Sequence, residues 1–266
     1  MKKEYLLFIL IFIIGCEDVI QVEIDSAKPQ IVIEAKISNS LNNNFVKITK
    51  STDFYNPNTY QTISNAQVII KENNKAEYLL SETSPGKYQN NQLVAKAGND
   101  YTIFVKYDNN QYSSNSYTPK GLKIDSVNYQ IKERPFNKKK YLELHVYFQD
   151  NPGQRDFARF VIYKNGEKIK VIFIYNDRLT NGNYINYFFF NFNDESFYMG
   201  DEIFVEMQSI NEQTYEYFRT LKNAATIESK GPFGPAAPAN PVNNWSNNAL
   251  GYFSTFIVST GSVKLQ

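Results

Sequence analysis

The sequence has 266 residues with 28 basic and 27 acidic side chains, a net charge of +1 when the single histidine is neutral. Such a balance lacks the excess of Lys and Arg that neutralises phosphates, so nucleic acid is not an expected partner. One cysteine and one histidine exclude an intramolecular disulfide and a Cys/His zinc site, so stability must come from apolar cores.

The first fifteen residues have the pattern of a bacterial signal peptide, with basic Met1-Lys2-Lys3 followed by the apolar run Leu6–Ile14. This run is too short to span a bilayer, which needs about twenty residues. The stretch Ile13-Ile14-Gly15-Cys16 resembles the lipobox of bacterial lipoproteins, with Ile in place of the usual Leu. We therefore predict cleavage before Cys16 and anchoring to a membrane by lipid on Cys16. An ordinary secretory signal or an uncleaved apolar start is the alternative.

Residues 16–28 are mostly polar and are predicted to form a tether that ends before Pro29. The acidic pair Glu17-Asp18, directly after the cysteine, resembles the surface-export signals of Bacteroidota lipoproteins. This resemblance implies an outer-membrane location that faces the cell surface.

Short strands are predicted for residues 29–119, because apolar residues alternate with polar ones, as at Ile31, Ile33, Ala35 and Ile37. Turn sequences separate these strands, and no helical pattern occurs before residue 120. We predict a β-sandwich of immunoglobulin or transthyretin type, whose two sheets bury their alternating faces.

A second antiparallel β-rich domain is predicted for residues 120–266, with a boundary at Thr118-Pro119-Lys120-Gly121. Asn165-Gly166 and Asn181-Gly182 tolerate the positive φ of type I′ turns and predict a meander of strands. One helix is predicted at about Ile210–Ala225, where apolar residues recur every three or four positions. Ser209 and Glu212 have the spacing of a capping box.

A proline-rich loop is predicted for residues 231–248, because Pro232, Pro235, Pro238 and Pro241 prevent regular pairing. A loop of this length inside a domain is usually functional or disordered. It leads into a predicted last strand, Phe253–Ser259.

Aromatic residues make up 15% of the chain, with a dense run at Tyr187–Phe192. Tyr187, Phe189 and Trp245 are the candidate binding residues, since aromatic rings offer a partner protein or a sugar much contact area. The favoured interpretation is nevertheless that these rings are buried, between the sheet and the helix or beneath the long loop, and the binding patch is the alternative.

The sequence predicts no catalytic residue, no metal ligand and no cofactor. His145 lies on the polar side of its strand, so an exposed or singly hydrogen-bonded ring is expected. Asp150-Asn151-Pro152-Gly153 with Asp156 offers oxygen ligands of the kind calcium takes, but without EF-hand spacing, which favours a turn. Asp194-Glu195 and Asp201-Glu202 also indicate a turn or a strand entry rather than a catalytic carboxylate pair.

Four features together resemble the Bacteroidota lipoproteins of domain-of-unknown-function family 4249. They are the lipobox, the first strand Pro29–Glu34, the helix with Tyr215-Glu216-Tyr217-Phe218 and Leu221, and the run Asn248–Phe253 after the proline-rich loop. The resemblance implies an outer-membrane lipoprotein, often encoded beside a TonB-dependent receptor, in which only the lipobox cysteine has a transferable role.

The expected function is therefore that of a non-enzymatic accessory or binding lipoprotein that works with a TonB-dependent transporter in nutrient uptake. A surface adhesin or glycan-binding module is the alternative, and a hydrolase that uses two carboxylates is a third hypothesis.

Overall fold

The structure is a computed structural model that describes residues 29–41, 44–51, 60–135, 137–189, 197–227 and 240–266. Several predicted features lie outside the described residues. They are the signal peptide, Cys16, the tether, residues 190–196 with the pair Asp194-Glu195, and residues 231–239 of the proline-rich loop.

The described chain is mainly β with one late helix, as the sequence predicted. The amino-terminal strands are β1 (Ile31–Ser38), β2 (Phe45–Lys50), β3 (Gln67–Glu72), β4 (Ala76–Ser84), β5 (Lys87–Gln89), β6 (Asp100–Tyr107) and β7 (Asn110–Tyr117). The later elements are β8 (Ile124–Glu133), β9 (Lys140–Gln149), β10 (Phe157–Lys164), β11 (Glu167–Lys168), β12 (Phe173–Asn176), β13 (Tyr184–Phe189), β14 (Glu202–Ile210), α1 (Glu212–Ile227) and β15 (Leu250–Lys264). No helix among these residues is both long and apolar enough to cross a bilayer.

Two sheets contain these strands. The large sheet has the order β11-β10-β14-β15-β1-β2-β5-β4-β3-β6-β7, with β12 also paired to β10, and the small sheet has the order β13-β9-β8. Strands β15 and β7 are seven positions apart in the large sheet, yet the amide of Thr255 donates to Oγ of Ser116 at 2.9 Å. This part of the large sheet therefore curls back on itself.

The curled strands enclose a first core. Because successive side chains of a strand point to opposite faces, Ile33, Ala35 and Ile37 of β1 are buried while Glu34 and Lys36 between them face outward. The core is completed by buried residues from β2, β3, β6 and β15, among them Val46, Ile48, Val68, Ile70, Tyr101, Ile103, Val105 and Phe253.

The small sheet covers a second core on β10, β14 and the end of β15. Phe148 of β9, Phe160 of β10 and Met207 of β14 are among its fully buried residues. Strand β12 pairs with β10, as the predicted meander requires, but β13 pairs with β9 of the small sheet and not with β12, so the second step of the meander is wrong. Asn165-Gly166 does form the predicted turn, with φ of 52° and 85° between β10 and β11, whereas Asn181-Gly182 lies in a connection between the two sheets.

Strand β15 belongs to both halves of the molecule. Its residues Leu250–Phe256 pair in parallel with β1, and Ile257–Lys264 pair antiparallel with β14. Residues 120–266 were predicted as one domain, yet Trp245, Ala249 and Phe253 lie in the first core.

Helix α1 packs on the face of β10, β14 and β15 that points away from the second core. Phe218 of the helix meets Phe157, Ile210 and Phe256 there. The helix begins two residues later than predicted because β14 continues through Ile210. Its cap is Asn211, whose Oδ1 accepts the amide of Thr214 at 2.9 Å, and not Ser209, whose hydroxyl accepts the amide of Leu122 at 2.8 Å.

Candidate functional site

Tyr187 and Phe189, two of the candidate binding residues, fill the second core. Phe189 is 1% exposed and meets the rings of Phe160 and Phe173 edge-on, at centroid distances of 5.3 Å and 5.0 Å. Tyr187 is half-buried, stacks on Phe160 at 4.8 Å and donates its hydroxyl to the carbonyl of Ile174. Both rings are thus held by packing within the protein.

Trp245 anchors the end of the proline-rich segment to the first core. Its ring is 7% exposed, and its Nε1 donates to the carbonyl of Ile33 at 3.0 Å. Trp245 lies in the first core, whereas Tyr187 and Phe189 lie in the second, so the structure does not bring the three candidate residues together as a site.

His145 lies on the outer face of the small sheet but is 3% exposed. One ring nitrogen contacts Oδ1 of Asn186 at 2.8 Å and the other contacts Oε1 of Glu143 at 2.9 Å. The expectation of an exposed or singly hydrogen-bonded ring is therefore wrong, because side chains of β9 and β13 surround this ring.

A line of four rings crosses this outer face, which we call the ring row: Tyr184, Tyr147, His145 and Phe188. Neighbouring centroids are 6.4 Å, 6.1 Å and 5.9 Å apart in that order. Tyr184 and Phe188, at the two ends, remain substantially exposed. The ring row thus offers aromatic surface beside the polar side chains of Glu143 and Asn186.

Asp150, Asp156 and Asp177 form an acidic cluster between the two sheets, with carboxylate oxygens within 4.8 Å of one another. All three are buried. Burial, and then the negative charge of the neighbouring aspartates, raises the pKa of Asp150 and of Asp156, although hydrogen bonds to both carboxylates oppose the rise. The sequence singled out Asp150 and Asp156 but missed Asp177, because a strand pattern does not say which turns meet in space.

Oxygen ligands of this kind are those that calcium takes. In the folded chain the carboxylates already accept hydrogen bonds, Asp156 from Asn151 and Gln154, and Asp150 from the amide of Gly182. Asp177 accepts the amide of Asp156. These bonds tie the β9–β10 connection to the β12–β13 connection.

Asp201 and Glu202 lie at a turn, as the sequence indicated. Asp201 accepts hydrogen bonds from the amide of Tyr198 and from Nδ2 of Asn165, and Glu202 forms an exposed ion pair with Lys264. Neither is arranged as half of a catalytic carboxylate pair.

A concave feature on the helix-bearing face of the large sheet was not predicted. It consists of two adjoining cavities of 520 Å³ and 400 Å³, which we call the cationic cleft. Lys36 of β1, Arg159 of β10 and Lys168 of β11 are the three residues that line both cavities. They mark the junction between the cavities.

Burial lowers the pKa of each of these three cations, and the charge of Arg159 lowers the pKa of Lys36 and Lys168 further. Glu34 and Glu206 oppose this effect on both lysines. Among the described residues, none of the three cations forms a salt bridge. The junction thus carries three positive charges beside two negative ones.

Arg159 has the most constrained side chain of the three. The guanidinium lies over the ring of Phe218, 4.1 Å from the centroid, and Nη1 donates to Oε1 of Gln208 at 3.4 Å. Its Nε is buried and has no hydrogen-bond partner within the described part of the chain.

An aromatic wall made by Tyr217, Phe218 and Tyr252 borders the smaller cavity. The ring of Tyr252 lies 4.7 Å from that of Tyr217 and 5.1 Å from that of Phe218. Burial raises the pKa of Tyr252 to about 12 and also raises that of Tyr217, so both hydroxyls stay protonated at neutral pH. The cleft therefore combines cations, phenol hydroxyls and apolar surface.

Comparison with known proteins bears on the resemblance noted above. The family described as a domain of unknown function (DUF4249) matches residues 17–262, nearly the whole chain. A search of curated proteins found no match. The chain therefore belongs to the DUF4249 family.

Proposed function

We propose that this protein is a non-enzymatic lipoprotein of the outer membrane, held by lipid on Cys16, that binds a ligand and works with a TonB-dependent transporter in nutrient uptake. The signal-like sequence that ends at Cys16 supports the anchor. The family match begins at residue 17, so this leader lies just outside the matched range.

The cationic cleft is the observation that carries the binding role. Each cavity has a volume within the range of small-molecule sites, about 300–1,000 Å³. Its floor comes from paired strands of one sheet, which hold Lys36, Arg159 and Lys168 in fixed relation. A rigid floor lowers the entropic cost of binding.

The anchor is tested in the native host by comparing wild type with Cys16→Ala. We expect mass spectrometry to find a lipid-modified Cys16 at the amino terminus of the wild type, in the outer-membrane fraction. The variant should lack the lipid. An unmodified thiol or an intact start at Met1 in the wild type would contradict the anchor.

The transporter partner is tested by pull-down from detergent-solubilised outer membranes, with an unrelated outer-membrane lipoprotein as the control bait. A TonB-dependent receptor should be recovered with this protein and not with the control. Its repeated absence would argue against the transporter role.

The ring row favours a second candidate function, that of a surface adhesin or glycan-binding module. Sugars stack on aromatic faces, and Tyr184 and Phe188 expose theirs at the two ends of the row. Glu143 and Asn186 provide polar atoms on the same face, although both already contact His145.

A glycan array tests this second function. Tyr184→Ala and Phe188→Ala should each abolish binding, whereas Tyr117→Ala, which removes an exposed ring from β7, should not. Binding that survives both ring-row substitutions, or no glycan bound by the wild type, would contradict it.

A further inference from the structure

We propose that the cationic cleft binds a small anionic molecule through one oxyanion group, a carboxylate or a phosphate, that sits against Arg159 where the two cavities meet. The remainder of the molecule lies against the aromatic wall. This inference deepens the binding role proposed above and rests on the same cleft, but it needs neither the anchor nor the transporter.

The unpaired Nε of Arg159 is the first argument. A buried donor without a partner destabilises the fold, so folded proteins rarely leave one. Nε itself is buried, but Arg159 lines both cavities, so a small shift of the guanidinium into the cleft would bring this donor to an acceptor on a ligand. An oxyanion supplies such an acceptor.

The orientation of the guanidinium is the second argument. Cζ of Arg159 lies over the Phe218 ring, 4.1 Å from its centroid, and this contact supplies no oxygen acceptor to the N–H donors of the group. The N–H donors lie in the plane of the group and match the two oxygens of a carboxylate or phosphate. Phe218 therefore holds Arg159 in a position suited to binding an anion by its edge.

The balance of charge is the third argument. Lys36, Arg159 and Lys168 repel one another, and Glu34 and Glu206 are the carboxylates of the described chain that oppose this effect on the two lysines. A bound anion would neutralise the remaining charge and relieve this repulsion. A cationic ligand would increase it.

The aromatic wall indicates what the rest of the ligand resembles. Tyr217, Phe218 and Tyr252 offer ring surface for an apolar or aromatic body. The hydroxyls of Tyr217 and Tyr252 have no hydrogen-bond partner among the described residues and remain protonated donors at neutral pH. An aryl or alkyl acid fits this combination better than a bare inorganic ion.

Equilibrium dialysis of the full-length lipidated protein in neutral detergent tests the proposal. The probes are radiolabelled benzoate, inorganic phosphate and the neutral analogue benzamide. Benzoate should bind, binding should weaken as salt is added, and benzamide should bind at least about tenfold more weakly. Phosphate binding without benzoate binding would assign the site to a tetrahedral oxyanion and to phosphate-bearing ligands.

Arg159→Met removes the charge and the donors but keeps much of the apolar stem. It should weaken binding by about tenfold or more. Arg178→Met, at an exposed arginine in the turn after β12, is the matched control and should bind as wild type. Lys168→Met, at an exposed position on β11, should also weaken binding and serves if Arg159→Met does not fold.

Stability without ligand separates a binding role from a structural one. If Arg159 serves binding, Arg159→Met should unfold at nearly the same urea concentration as wild type, because the removal of a buried donor without a partner offsets the loss of the contacts with Gln208 and Phe218. No probe bound below about 10 mM, or equal binding by wild type, Arg159→Met and Lys168→Met, would overturn the proposal. The pull-down is independent, so either result can fail without the other.

Discussion

The acidic cluster shows how single residues set the pH response of this protein. Asp150 and Asp156 have folded-state pKa values above their ordinary ones, because burial and neighbouring negative charge both disfavour the ionised form. The folded chain therefore holds these protons more tightly than the unfolded chain does. Their ionisation destabilises the fold, and this penalty disappears as the pH falls through the folded-state values towards the unfolded value near 4.

Asp150→Asn should increase the free energy of unfolding at pH 7 and lose this advantage at about pH 4. The asparagine Oδ1 can still accept the amide of Gly182, while its Nδ2 can donate to a neighbouring carboxylate. The measurement is urea unfolding at both pH values. Asp125→Asn, at an exposed position of β8, is the control and should follow wild type.

The informative quantity is the difference in unfolding free energy between Asp150→Asn and wild type at each pH. Other carboxylates change the stability in the opposite direction as the pH falls. Burial raises the pKa of Glu72, but hydrogen bonds from Lys96, Tyr78 and Asn99 outweigh it and hold the pKa below its ordinary value. Its contribution to stability is therefore lost as the pH falls. Parallel pH profiles for wild type and Asp150→Asn would contradict the role given to Asp150.

At the scale of elements, the run Asn248–Phe253 has a packing explanation at four of its six positions. Ala249 and Phe253 are fully buried in the first core, and Tyr252 on the other face of β15 meets helix α1. Gly251 has φ of 100°, and a Cβ built on it would overlap the carbonyl oxygen of Ile33. The close approach of β15 to β1 therefore requires glycine at this position.

Gly251→Ala should destabilise the protein far more than Gly200→Ala. The two glycines have similar φ, 100° and 96°, but no atom lies within 4 Å of a Cβ at Gly200. Gly200→Ala should cost about 1–2 kcal/mol for backbone strain alone, whereas Gly251→Ala adds the clash with Ile33. Thermal unfolding of both variants measures the difference, and equal losses would show that β15 can shift away from β1.

Sequence patterns predicted the strands and the helix better than they predicted which strands pair. Alternation found strands such as β1, and the helical spacing of Tyr217, Phe218 and Leu221 found α1. The pairing of β13 with β9 was missed because an alternating pattern marks the buried face without naming the neighbouring strand.

The cationic cleft could not be predicted for a related reason. On β1, Lys36 alternates with apolar residues, which is also the pattern of an ordinary solvent-facing side, whereas Arg159 is the one charged residue in the apolar run Phe157–Tyr163 of β10. Only the covering of that face by α1 and by the chain between β11 and β12 turns these cations into the lining of a cleft. Tyr187, Phe189 and Trp245 were candidate binding residues because they are aromatic. Aromatic side chains are also apolar, and these three pack into the cores of the protein.

At the scale of the whole molecule, β15 links the two cores. Its first half completes the first core through Phe253, and its second half pairs with β14 beneath the second core. Further bonds connect the halves, since Nδ2 of Asn211 donates to Oγ of Ser116 and the amide of Val258 donates to Oδ1 of Asn39. Loss of the second core would therefore remove one neighbour of the strand on which the first core depends.

We expect the two halves to unfold together. Trp245 is the only tryptophan and lies in the first core, so its fluorescence reports on that half, while far-UV circular dichroism reports on all strands. Met207→Ala opens a cavity in the second core and should cost about 2–5 kcal/mol. If β15 couples the cores, the urea midpoint of Trp245 fluorescence should fall together with that of the dichroism signal.

Met199→Ala is the matched control, because Met199 is 53% exposed and its truncation leaves both cores intact. It should leave both midpoints close to those of wild type. A Trp245 midpoint that stays fixed in Met207→Ala, while the dichroism signal separates into two steps, would show that the first core is stable without the second. In that case each half would hold its part of β15 independently of the other half. The floor of the cationic cleft spans β1, β15, β14 and β10, so the cleft would then be lost before the first core unfolds.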